Sequence, residues 1–535
     1  MVVADFPPPA MFGVDGRKFP EWRPGQVEAF QRILDSPNRI VAAGLPTGWG
    51  KSLIGYVSGK VAGRCVYLTS RRGLQTQIMA DFQAHNVWGQ SNYKCKTNPD
   101  LTVADGPCHT GMKCELKDGG CDYYDAVNIA ALPTTKFTVT NYAFYIRRLL
   151  RPDSDGDGLG PVDLLVLDEA HRLLDELSSA LSIQLRRTDV EPHGIPWPPD
   201  RWSKADAEDA DKWKGWAVNT ALPAITSAIA RQAADNNAQA KLSSAAARAT
   251  RRLQNTQTAL REMGKVVGEW AVGIHWKTKD MNFSPLWPGE YLQRALLGTA
   301  KKVVFMSATM NIKMLNMLGL GEDDYDFYEQ GSLFPIVDRP ILYDLAVPNM
   351  RFSATPSDWT TWLSRLDNLI DARLDKRMIV HCHSYQRKEY LMTRSRHRGR
   401  MMGHTAADAT IVAQQFRMSP PGTILVSQSM TEGWDFPGED CEVQFIVKIP
   451  FPDSRDAVIK ARNKIDKDYS SYLAMQTMVQ AAGRGIRYNG DRCETIILDG
   501  ASKWFMWKCA PFAPMWFNNS VKRVPSGLPT PLIKL

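Results

Sequence analysis

The sequence has no long apolar run and no framework of paired cysteines. Its 535 residues are 44% hydrophobic, yet no apolar stretch approaches the roughly 18 residues that a membrane-spanning helix needs. Residues 1–6 and the three prolines after them have neither the basic nor the apolar region of a secretory signal. The nine cysteines are an odd number and include no Cys-x-x-Cys pair, which argues against a secreted disulfide framework. These absences predict a soluble cytoplasmic protein that does not act at a membrane.

An excess of acidic residues is also absent. The formal net charge is +8, a mild surplus for a chain in which 23% of the residues are charged. This charge is compatible with an anionic partner such as nucleic acid, but it does not identify one. The length and composition predict a globular protein with about three or four domains.

One stretch has the order strand, glycine-rich turn and helix. An apolar run leads directly into Leu45-Pro46-Thr47-Gly48-Trp49-Gly50-Lys51-Ser52, and a helical pattern follows. Gly48 and Gly50 allow the backbone to approach an anion, and the next helix directs its N–H groups toward phosphates. We therefore predict that residues 47–52 bind ATP, with Lys51 on the β- and γ-phosphates and the Ser52 hydroxyl on Mg²⁺.

Two carboxylates follow a second buried strand pattern. Residues 162–167 are largely apolar, and Asp168, Glu169, Ala170 and His171 come directly after them. We predict that Asp168 binds Mg²⁺ and that Glu169 orients and deprotonates the attacking water, since hydrolysis of the γ-phosphate depends on positioning and charge neutralisation. Gln26, upstream of the phosphate loop, is a candidate reader of the adenine edge through its amide.

Four cysteines lie close together in an otherwise polar, glycine-containing stretch, while the other five are scattered. The four are Cys95, Cys108, Cys114 and Cys121, separated by 12, 5 and 6 residues. A region with so little core of its own needs a staple, and four thiolates around a metal provide one. Their irregular spacing fits zinc and an iron–sulfur cluster equally well.

Apolar runs alternate with helical patterns on both sides of this stretch, which predicts doubly wound parallel sheets with ligands at the carboxyl ends of the strands. The residues at such ends are candidates for nucleic-acid contact or for coupling. The nucleic-acid candidates are Arg71, Arg72, Asn141 and Tyr142, with Tyr93, Lys94, Lys96, Lys113, Tyr123 and Tyr124 of the cysteine stretch. The coupling candidates are His171, Ser307, Thr309 and Gln480.

The second half of the chain repeats the strand–helix alternation without a phosphate loop. Its strand patterns are residues 378–382, 423–427, 443–447 and 495–498. The candidates here are Asp435 for nucleotide contact and Arg484 and Arg487 for the γ-phosphate. The two arginines are three residues apart, so we place them on one face of a helix and expect them to act as arginine fingers across a cleft.

The ordered motifs resemble those of superfamily 2 helicases, and their two insertions are similar to those of the XPD/DinG family of iron–sulfur helicases, closer to the DinG branch. The motifs are Gln26, PTGWGKS, TSRR, TNY, DEAH, SAT, EGWDF and QAAGRGIR. The resemblance implies an α/β fold with two RecA-like motor domains, a small iron–sulfur insertion and a helical arch. It also implies a 4Fe–4S cluster on the four cysteines, ATP-driven movement on single-stranded DNA, and 5′-to-3′ unwinding of forked DNA by a monomeric motor.

The resulting domain division assigns most of the chain to the two motor domains. Motor domain 1 comprises residues 1–92, 129–175 and 291–335, the cluster domain 93–128, the arch 176–290, and motor domain 2 residues 336–535. We expect the arch to be mainly helical and to lack buried strands. Two alternatives to a helicase are an ATP-dependent translocase or remodeller that does not unwind, and a non-enzymatic nucleic-acid binding module.

Overall fold

The structure is a computed structural model, and it describes residues 6–109, 114–150, 159–237, 244–344, 346–351, 353–428, 436–488 and 490–524. Its described strands are β1 (Ile40–Gly44), β2 (Cys65–Thr69), β3 (His85–Asn86), β4 (Phe137–Asn141), β5 (Val162–Asp168), β6 (Ile183–Leu185), β7 (Trp270–Ile274), β8 (Met281–Pro285), β9 (Ala300–Ser307), β10 (Tyr325–Glu329), β11 (Ile341–Asp344), β12 (Met378–His381), β13 (Met401–Gly403), β14 (Ile424–Ser427), β15 (Val443–Ile446), β16 (Glu494–Ile497) and β17 (Val521–Val524).

The helices alternate with these strands along most of the chain. They are α1 (Gln26–Asp35), α2 (Lys51–Ala62), α3 (Arg72–Phe82), α4 (Asp122–Ala131), α5 (Tyr142–Leu150), α6 (Leu173–Leu181), α7 (Arg187–Val190), α8 (Lys204–Ala207), α9 (Ala210–Trp216), α10 (Leu222–Asn237), α11 (Ser244–Lys265), α12 (Gly289–Ala295), α13 (Ile312–Met317), α14 (Pro356–Asp371), α15 (Tyr385–Arg394), α16 (Ala409–Arg417), α17 (Ala457–Ile465), α18 (Tyr469–Ala482), α19 (Ser502–Cys509) and α20 (Met515–Asn518).

The first motor sheet contains seven of the described strands, in the order β10-β1-β9-β5-β2-β4-β3. All its pairings are parallel. Strands β1 and β2 are buried along their whole length, as expected for a sheet that helices cover on both faces. The carboxyl ends of β1, β5 and β9 therefore meet at one edge, and they bring three distant sequence motifs together.

The second motor sheet has the same architecture. Its described strands follow the order β13-β14-β12-β15-β16-β11-β17, again with parallel pairings throughout. Strands β12, β14, β15 and β16 correspond to the four strand patterns seen in the sequence, and the flanking strands β11, β13 and β17 add three more. The predicted α/β fold with two parallel-sheet domains is therefore confirmed.

Two insertions interrupt the first sheet. Between β3 and β4 the chain forms short 3-10 turns and α4, and between β5 and β9 it forms the arch. We expected from the sequence that the arch lacks buried strands, and this was wrong. Strands β6, β8 and β7 form an antiparallel sheet, which packs with the arch helices around one apolar core. Its strands escaped notice because they have five residues or fewer beside long helices rich in Ala, Gln and Arg.

The two predicted arginine fingers do not lie on a helix. Helix α18 ends at Ala482, before both arginines, which lie in the turn that follows it. Two glycines, at positions 483 and 485, weaken helical continuation. In addition, a Cβ atom at Gly485 would lie 2.2 Å from the Sγ atom of Cys493, so this turn packs directly against the residue that precedes β16.

The two motor domains pack against each other at the start of α18. Tyr469 and Tyr472 belong to motor domain 2, yet they lie in the same buried cluster as Leu174 and Leu177 of α6. In the part of the chain that the structure describes, no helix is long and apolar enough to cross a membrane. The domain boundaries stay predictions. The one predicted between residues 335 and 336 lies between the end of β10 at Glu329 and the start of β11 at Ile341.

Candidate active site

The phosphate loop connects β1 to α2 and faces motor domain 2. Gly48 and Gly50 have φ values of 74° and 88°, in the left-handed region that favours glycine. A Cβ atom at Gly48 would lie 2.7 Å from the Phe334 ring and 3.0 Å from the carbonyl oxygen of Arg487. Thr47 makes a similar close approach, because a Cβ atom at Gly483 would lie 3.1 Å from its hydroxyl oxygen. The loop is thus one wall of a narrow cleft between the motor domains.

Lys51 and Ser52 begin α2, where the N–H groups of the first turn are available to an anion. The Lys51 ammonium lies 3.4 Å from the Leu45 carbonyl oxygen, and its charge acts on both acidic residues at the end of β5. Trp49 is 2% exposed, so its side chain anchors the loop in the core and only its backbone is available to a phosphate.

The two carboxylates differ in their surroundings. Burial, followed by the charge of Glu169, raises the pKa of Asp168 to about 6, although Lys51 opposes the rise. Burial also raises the pKa of Glu169, but the charge of Lys51, the nearby His171 and the charge of Arg487 outweigh it, so this pKa is lowered overall. Glu169 is therefore the stronger candidate for an ionised carboxylate that orients water, and Asp168 is placed to share a cation.

The backbone at Glu169 is in an unusual conformation. Its φ and ψ are 52° and 43°, values that a residue with a Cβ atom seldom adopts. Asp168 stabilises the turn by accepting a hydrogen bond from the Glu169 N–H at 2.9 Å. Such strain is frequent at functional sites, since the surrounding structure must hold it in place.

Two tyrosines position Asp168, although the sequence did not predict this role for either of them. The Tyr67 hydroxyl donates to the Asp168 Oδ2 atom at 2.9 Å, and Ser52 lies close enough to it to affect the pKa of Tyr67, so Tyr67 lies beside both predicted magnesium ligands. The Tyr142 hydroxyl donates to the Asp168 carbonyl oxygen at 2.9 Å. Tyr67 lies within an apolar strand pattern 101 residues before Asp168, and no local motif marks it.

All four predicted coupling residues lie in one chain of polar contacts. His171 Nδ1 is 3.3 Å from Glu169 Oε2 and 2.9 Å from the Ser307 hydroxyl. The hydroxyls of Ser307 and Thr309 are 3.2 Å apart, and the Gln480 amide donates to Thr309 at 3.3 Å. The contacts run from the Glu169 carboxylate of motor domain 1 to α18 of motor domain 2. Their role in coupling stays a prediction.

The two arginines of motor domain 2 have different neighbours. Arg487 lies close enough to Glu169 for its charge to lower the pKa of that carboxylate. Arg484 is buried, and its charge acts on His381 of β12. The geometry therefore brings Arg487 into the cleft, whereas Arg484 contributes to the interior of motor domain 2. Asp435, the other nucleotide candidate from this half, lies outside the described residues.

Gln26 does not present its amide to an adenine. The side chain is 1% exposed, accepts from the Arg23 N–H at 2.9 Å and donates to the Trp49 carbonyl oxygen at 2.8 Å. Its Nε2 atom would lie 2.3 Å from a Cβ atom at Gly50. Gln26 therefore supports the phosphate loop from behind, and the adenine role that we expected from the sequence is not favoured by this arrangement.

The four clustered cysteines lie in the loops around α4, and their thiols lie near one another. Burial raises the pKa of Cys108, and Cys114, Cys95 and Cys121 add to this rise through charge interactions. Cys95 and Cys121 are buried. Within the described residues, however, no three His, Cys, Asp or Glu side chains form a group that could hold a metal ion. The donor chemistry fits an iron–sulfur cluster or zinc, but the protein side chains alone do not form a closed ligand set.

The predicted nucleic-acid residues divide into exposed and buried ones. Arg71 and Arg72 begin α3 at the end of β2, and Asn141 ends β4, where its side chain accepts from the Phe144 N–H at 2.9 Å. Lys94 and Lys96 are exposed, and Lys96 forms an ion pair with Asp122 at 2.5 Å. Lys113 lies outside the described residues.

The tyrosines predicted to contact nucleic acid are core residues. Tyr142, Tyr123 and Tyr124 are 0%, 1% and 6% exposed, so none of them can stack on a base in this structure. Tyr93 is half-buried against Tyr123, with ring centroids 5.6 Å apart. Stacking was predicted for Tyr93, Tyr123 and Tyr124. For Tyr123 and Tyr124 the prediction was wrong, because their rings lie in the same buried core cluster as the strands of the first motor sheet.

A basic cleft lies where the cysteine segment meets the arch. It has a volume of about 320 Å³ and is lined by Arg248, Arg251, Arg252 and Asn255 of α11 and by Ser91, Ala104 and Asp105. Arg251 crosses it to form an ion pair with Asp105 at 2.6 Å. Such a concentration of guanidinium groups suits a phosphate backbone.

Comparisons with known proteins agree with this geometry. A DEAD/DEAH box helicase model matches residues 23–196, and a helicase C-terminal domain model matches residues 368–504. The curated 3'-5' exonuclease DinG of Bacillus subtilis (strain 168) is 26% identical over 242 residues, which are 40% of this chain and 25% of that protein. The chain thus matches about a quarter of the length of this relative.

Solved structures of XPD proteins share the fold. One titled "XPD_Helicase" is 16% identical and has a TM-score of 0.60, with 94% of this chain and 100% of the other covered. The S. tokodaii Xpd4 structure is 12% identical, with a TM-score of 0.59 and the same coverage.

The chain contains a DEAD/DEAH box helicase domain and a helicase C-terminal domain, and it has the fold of XPD proteins. The two family matches and the fold confirm the resemblance stated from the sequence, and they confirm an ATP-dependent helicase enzyme. A non-enzymatic binding module is therefore no longer supported. Helicases of this kind bind ATP and nucleic acid, and the residues described above are this chain's candidates for both tasks.

Proposed function

We propose that this chain moves along single-stranded DNA from 5′ to 3′ and unwinds forked duplexes with the free energy of ATP hydrolysis. The observation that supports this most strongly is the composite cleft. The phosphate loop of motor domain 1 faces the carbonyl oxygen of Arg487, and the Arg487 charge acts on Glu169. A nucleotide bound there contacts both domains, so its hydrolysis changes their separation.

Each residue of the cleft has a distinct task in this proposal. Lys51 and the N–H groups of the phosphate loop hold the phosphates, while Ser52 and Asp168 hold the magnesium ion, which neutralises charge as the γ-phosphate leaves. Glu169 orients the attacking water and accepts its proton. Arg487 approaches the γ-phosphate when the domains close, and the contacts from His171 to Gln480 report the nucleotide state to α18.

We propose that the DNA strand passes between the cysteine segment and the arch. The cleft lined by Arg248, Arg251 and Arg252 supports this path, because guanidinium groups bind phosphates without reading sequence. The direction of movement rests on the resemblance to the XPD/DinG family. Both halves of the nucleotide site come from one chain, which favours a monomeric motor. The intracellular location stays a prediction from the sequence.

We propose further that Cys95, Cys108, Cys114 and Cys121 hold a 4Fe–4S cluster. Four thiols that influence one another are the donor set that such a cluster needs. When bound, the cluster acts as a staple for a segment with little core of its own. The protein residues keep the tasks given above, and the hydrolysis step needs no participation of the cluster.

A strand-displacement assay on forked DNA tests the proposal. We expect ATP-dependent release of the displaced strand from a duplex whose single-stranded tail is 5′ and none from a duplex whose single-stranded tail is 3′. ATP hydrolysis that DNA stimulates without displacement would support the translocase or remodeller instead. Release from the 3′-tailed fork alone would contradict the polarity. The exonuclease activity in the relative's name is not proposed here, because the match covers 25% of that protein.

A further inference from the structure

Arg462 of α17 is a buried arginine that joins motor domain 2 to the base of the arch. It is 2% exposed. A buried guanidinium is costly unless its donors are satisfied, and this one donates to groups that are distant in sequence. It lies in motor domain 2, whereas two of its partners belong to the segments that connect the arch to motor domain 1.

The guanidinium contacts both of these connecting segments. Its Nη2 atom donates to the Ser178 hydroxyl at 2.8 Å, and Ser178 lies in α6, through which the chain enters the arch. Its Nε atom donates to the Leu286 carbonyl oxygen at 2.7 Å, and Leu286 follows β8, where the chain returns. Because the guanidinium is planar and rigid, one side chain fixes both crossings relative to α17.

The same side chain is connected to the helix that leads to the nucleotide cleft. The Nη1 atom of Arg462 donates to the Tyr469 hydroxyl at 2.5 Å, and Tyr469 begins α18. The guanidinium lies over the rings of Trp287 and Tyr469, at 5.2 and 5.3 Å from their centroids. These two rings contact each other edge to face, with centroids 5.8 Å apart.

Helix α18 spans the distance between this contact and the cleft. Its 14 residues correspond to about 21 Å of helix. Near its other end Gln480 donates to Thr309, and Arg487 follows in the turn beyond. A second contact keeps α17 close to the arch sheet, since a Cβ atom at Gly273 of β7 would lie 3.5 Å from the Cβ atom of Ala457.

We infer that Arg462 is a positioning residue that makes the arch move with motor domain 2 when nucleotide closes the cleft. The inference rests on the proposed function, because it needs the two motor domains to close on ATP. Without the Arg462 contacts, the two segments through which the chain enters and leaves the arch lose their hydrogen bonds to motor domain 2, while the contact of β7 with Ala457 remains. The motor then still hydrolyses ATP, but the opening between the arch and the cysteine segment no longer follows the nucleotide state.

The variants separate this role from a structural one. Arg462→Lys keeps the charge and loses the planar fork. Tyr469→Phe removes only the hydroxyl that accepts a hydrogen bond from Arg462 and so connects α18 to it. This variant tests the inference if Arg462→Lys does not fold. The matched control is Lys464→Gln, which removes an exposed cation from the same helix. Thermal melting establishes that each variant is folded.

Fluorescence energy transfer between labelled unnatural residues at exposed positions gives the readout. One pair, Val61 and Met418, reports closure of the motor domains, and the other pair, Val61 and Lys204, reports movement of the arch relative to motor domain 1. The probe is a non-hydrolysable ATP analogue with Mg²⁺ and oligothymidine. In the unaltered chain and in Lys464→Gln, we expect the analogue to change both signals.

In Arg462→Lys and Tyr469→Phe, we expect closure of the motor domains to persist and the arch signal to be lost. Strand displacement is expected to fall about tenfold while ATP hydrolysis stays within about twofold. An arch signal that survives in both variants would overturn the inference, as would an unaltered chain whose motor domains close without any arch signal. An unaltered chain that neither closes nor hydrolyses ATP would instead overturn the proposed function.

Discussion

The nucleotide cleft and the cysteine segment differ in how much the protein side chains assemble by themselves. In the cleft, parallel strands end at one edge, and hydrogen bonds already connect Asp168 to Tyr67 and to Tyr142. In the cysteine segment, Cys108 lies in a short 3-10 turn and the other three cysteines lie in loops, and the described side chains form no closed metal group. The strand ends position residues through backbone hydrogen bonds, whereas we propose that the loops depend on the cluster that their cysteines bind.

This difference has a consequence for mutations. A change in the cleft removes one chemical task from a site whose other parts stay in place. If the proposed cluster is bound there, a change at one of the four cysteines removes the group that orders the whole segment. The predictions below therefore separate loss of chemistry from loss of order.

Lys51→Met tests the cleft with the largest expected effect. Loss of the ammonium that holds the phosphates is expected to lower ATP hydrolysis on the order of a thousandfold, with thermal stability unchanged. Steady-state hydrolysis in the presence of single-stranded DNA measures it. The control Lys60→Met removes an exposed lysine from the same helix and is expected to keep full activity.

Cys108→Ser tests the other region. We expect a brown chain with about four irons to become colourless, and the segment to become sensitive to proteases, while basal ATP hydrolysis persists. Iron analysis and limited proteolysis measure these changes. Cys382→Ala, at a buried cysteine of motor domain 2, is the control and should keep its iron. One zinc per chain in place of iron would contradict the cluster.

Tyr67→Phe sharpens the account of the cleft. The variant loses the hydrogen bond to Asp168 but keeps the buried ring, so the apparent affinity for Mg²⁺ is expected to fall about tenfold. A magnesium titration of ATP hydrolysis measures the shift. Tyr145→Phe removes a buried hydroxyl that contacts Thr299 instead, and its titration should match that of the unaltered chain. If the magnesium dependence shifted equally in Tyr67→Phe and Tyr145→Phe, Tyr67 would have no specific role in magnesium binding.

Gln480→Ala carries the smallest expected effect. It breaks the contact between Thr309 and α18 without touching the phosphate loop, so stimulation of ATP hydrolysis by DNA is expected to fall about fivefold while basal hydrolysis is retained. The ratio of stimulated to basal rates is the measurement. Gln476→Ala is the control. It removes an amide that donates to the Phe512 carbonyl oxygen within motor domain 2, so stimulation by DNA should persist.

The comparison also explains what could be predicted from the sequence. The phosphate loop, Asp168 and Glu169 were found because each follows an apolar strand directly, and the strand pattern fixes the position of the next residue. Tyr67 and Arg462 were missed because their partners are 101 and 176 or more residues away. Such pairings depend on how elements pack, and no local pattern records them.

The errors have the same physical origin. Tyr123, Tyr124 and Tyr142 were predicted to contact nucleic acid, but their rings are buried in the core cluster beside the first motor sheet. The arch strands were not predicted because they are short and because the long helices beside them, rich in Ala, Gln and Arg, dominate the composition of this region. The helix expected at Arg484 and Arg487 ends earlier because Gly483 and Gly485 let the chain turn against Cys493.

Glu169→Gln tests the central claim most directly, namely that the cleft hydrolyses ATP to drive movement on DNA. The substitution keeps the shape of the side chain and removes its negative charge. With Glu176→Gln of the neighbouring helix as the control, hydrolysis stimulated by single-stranded DNA is measured beside binding of a fluorescent ATP analogue. We predict retained binding and a rate lower by about a thousandfold. Full DNA-stimulated hydrolysis in Glu169→Gln would contradict the account.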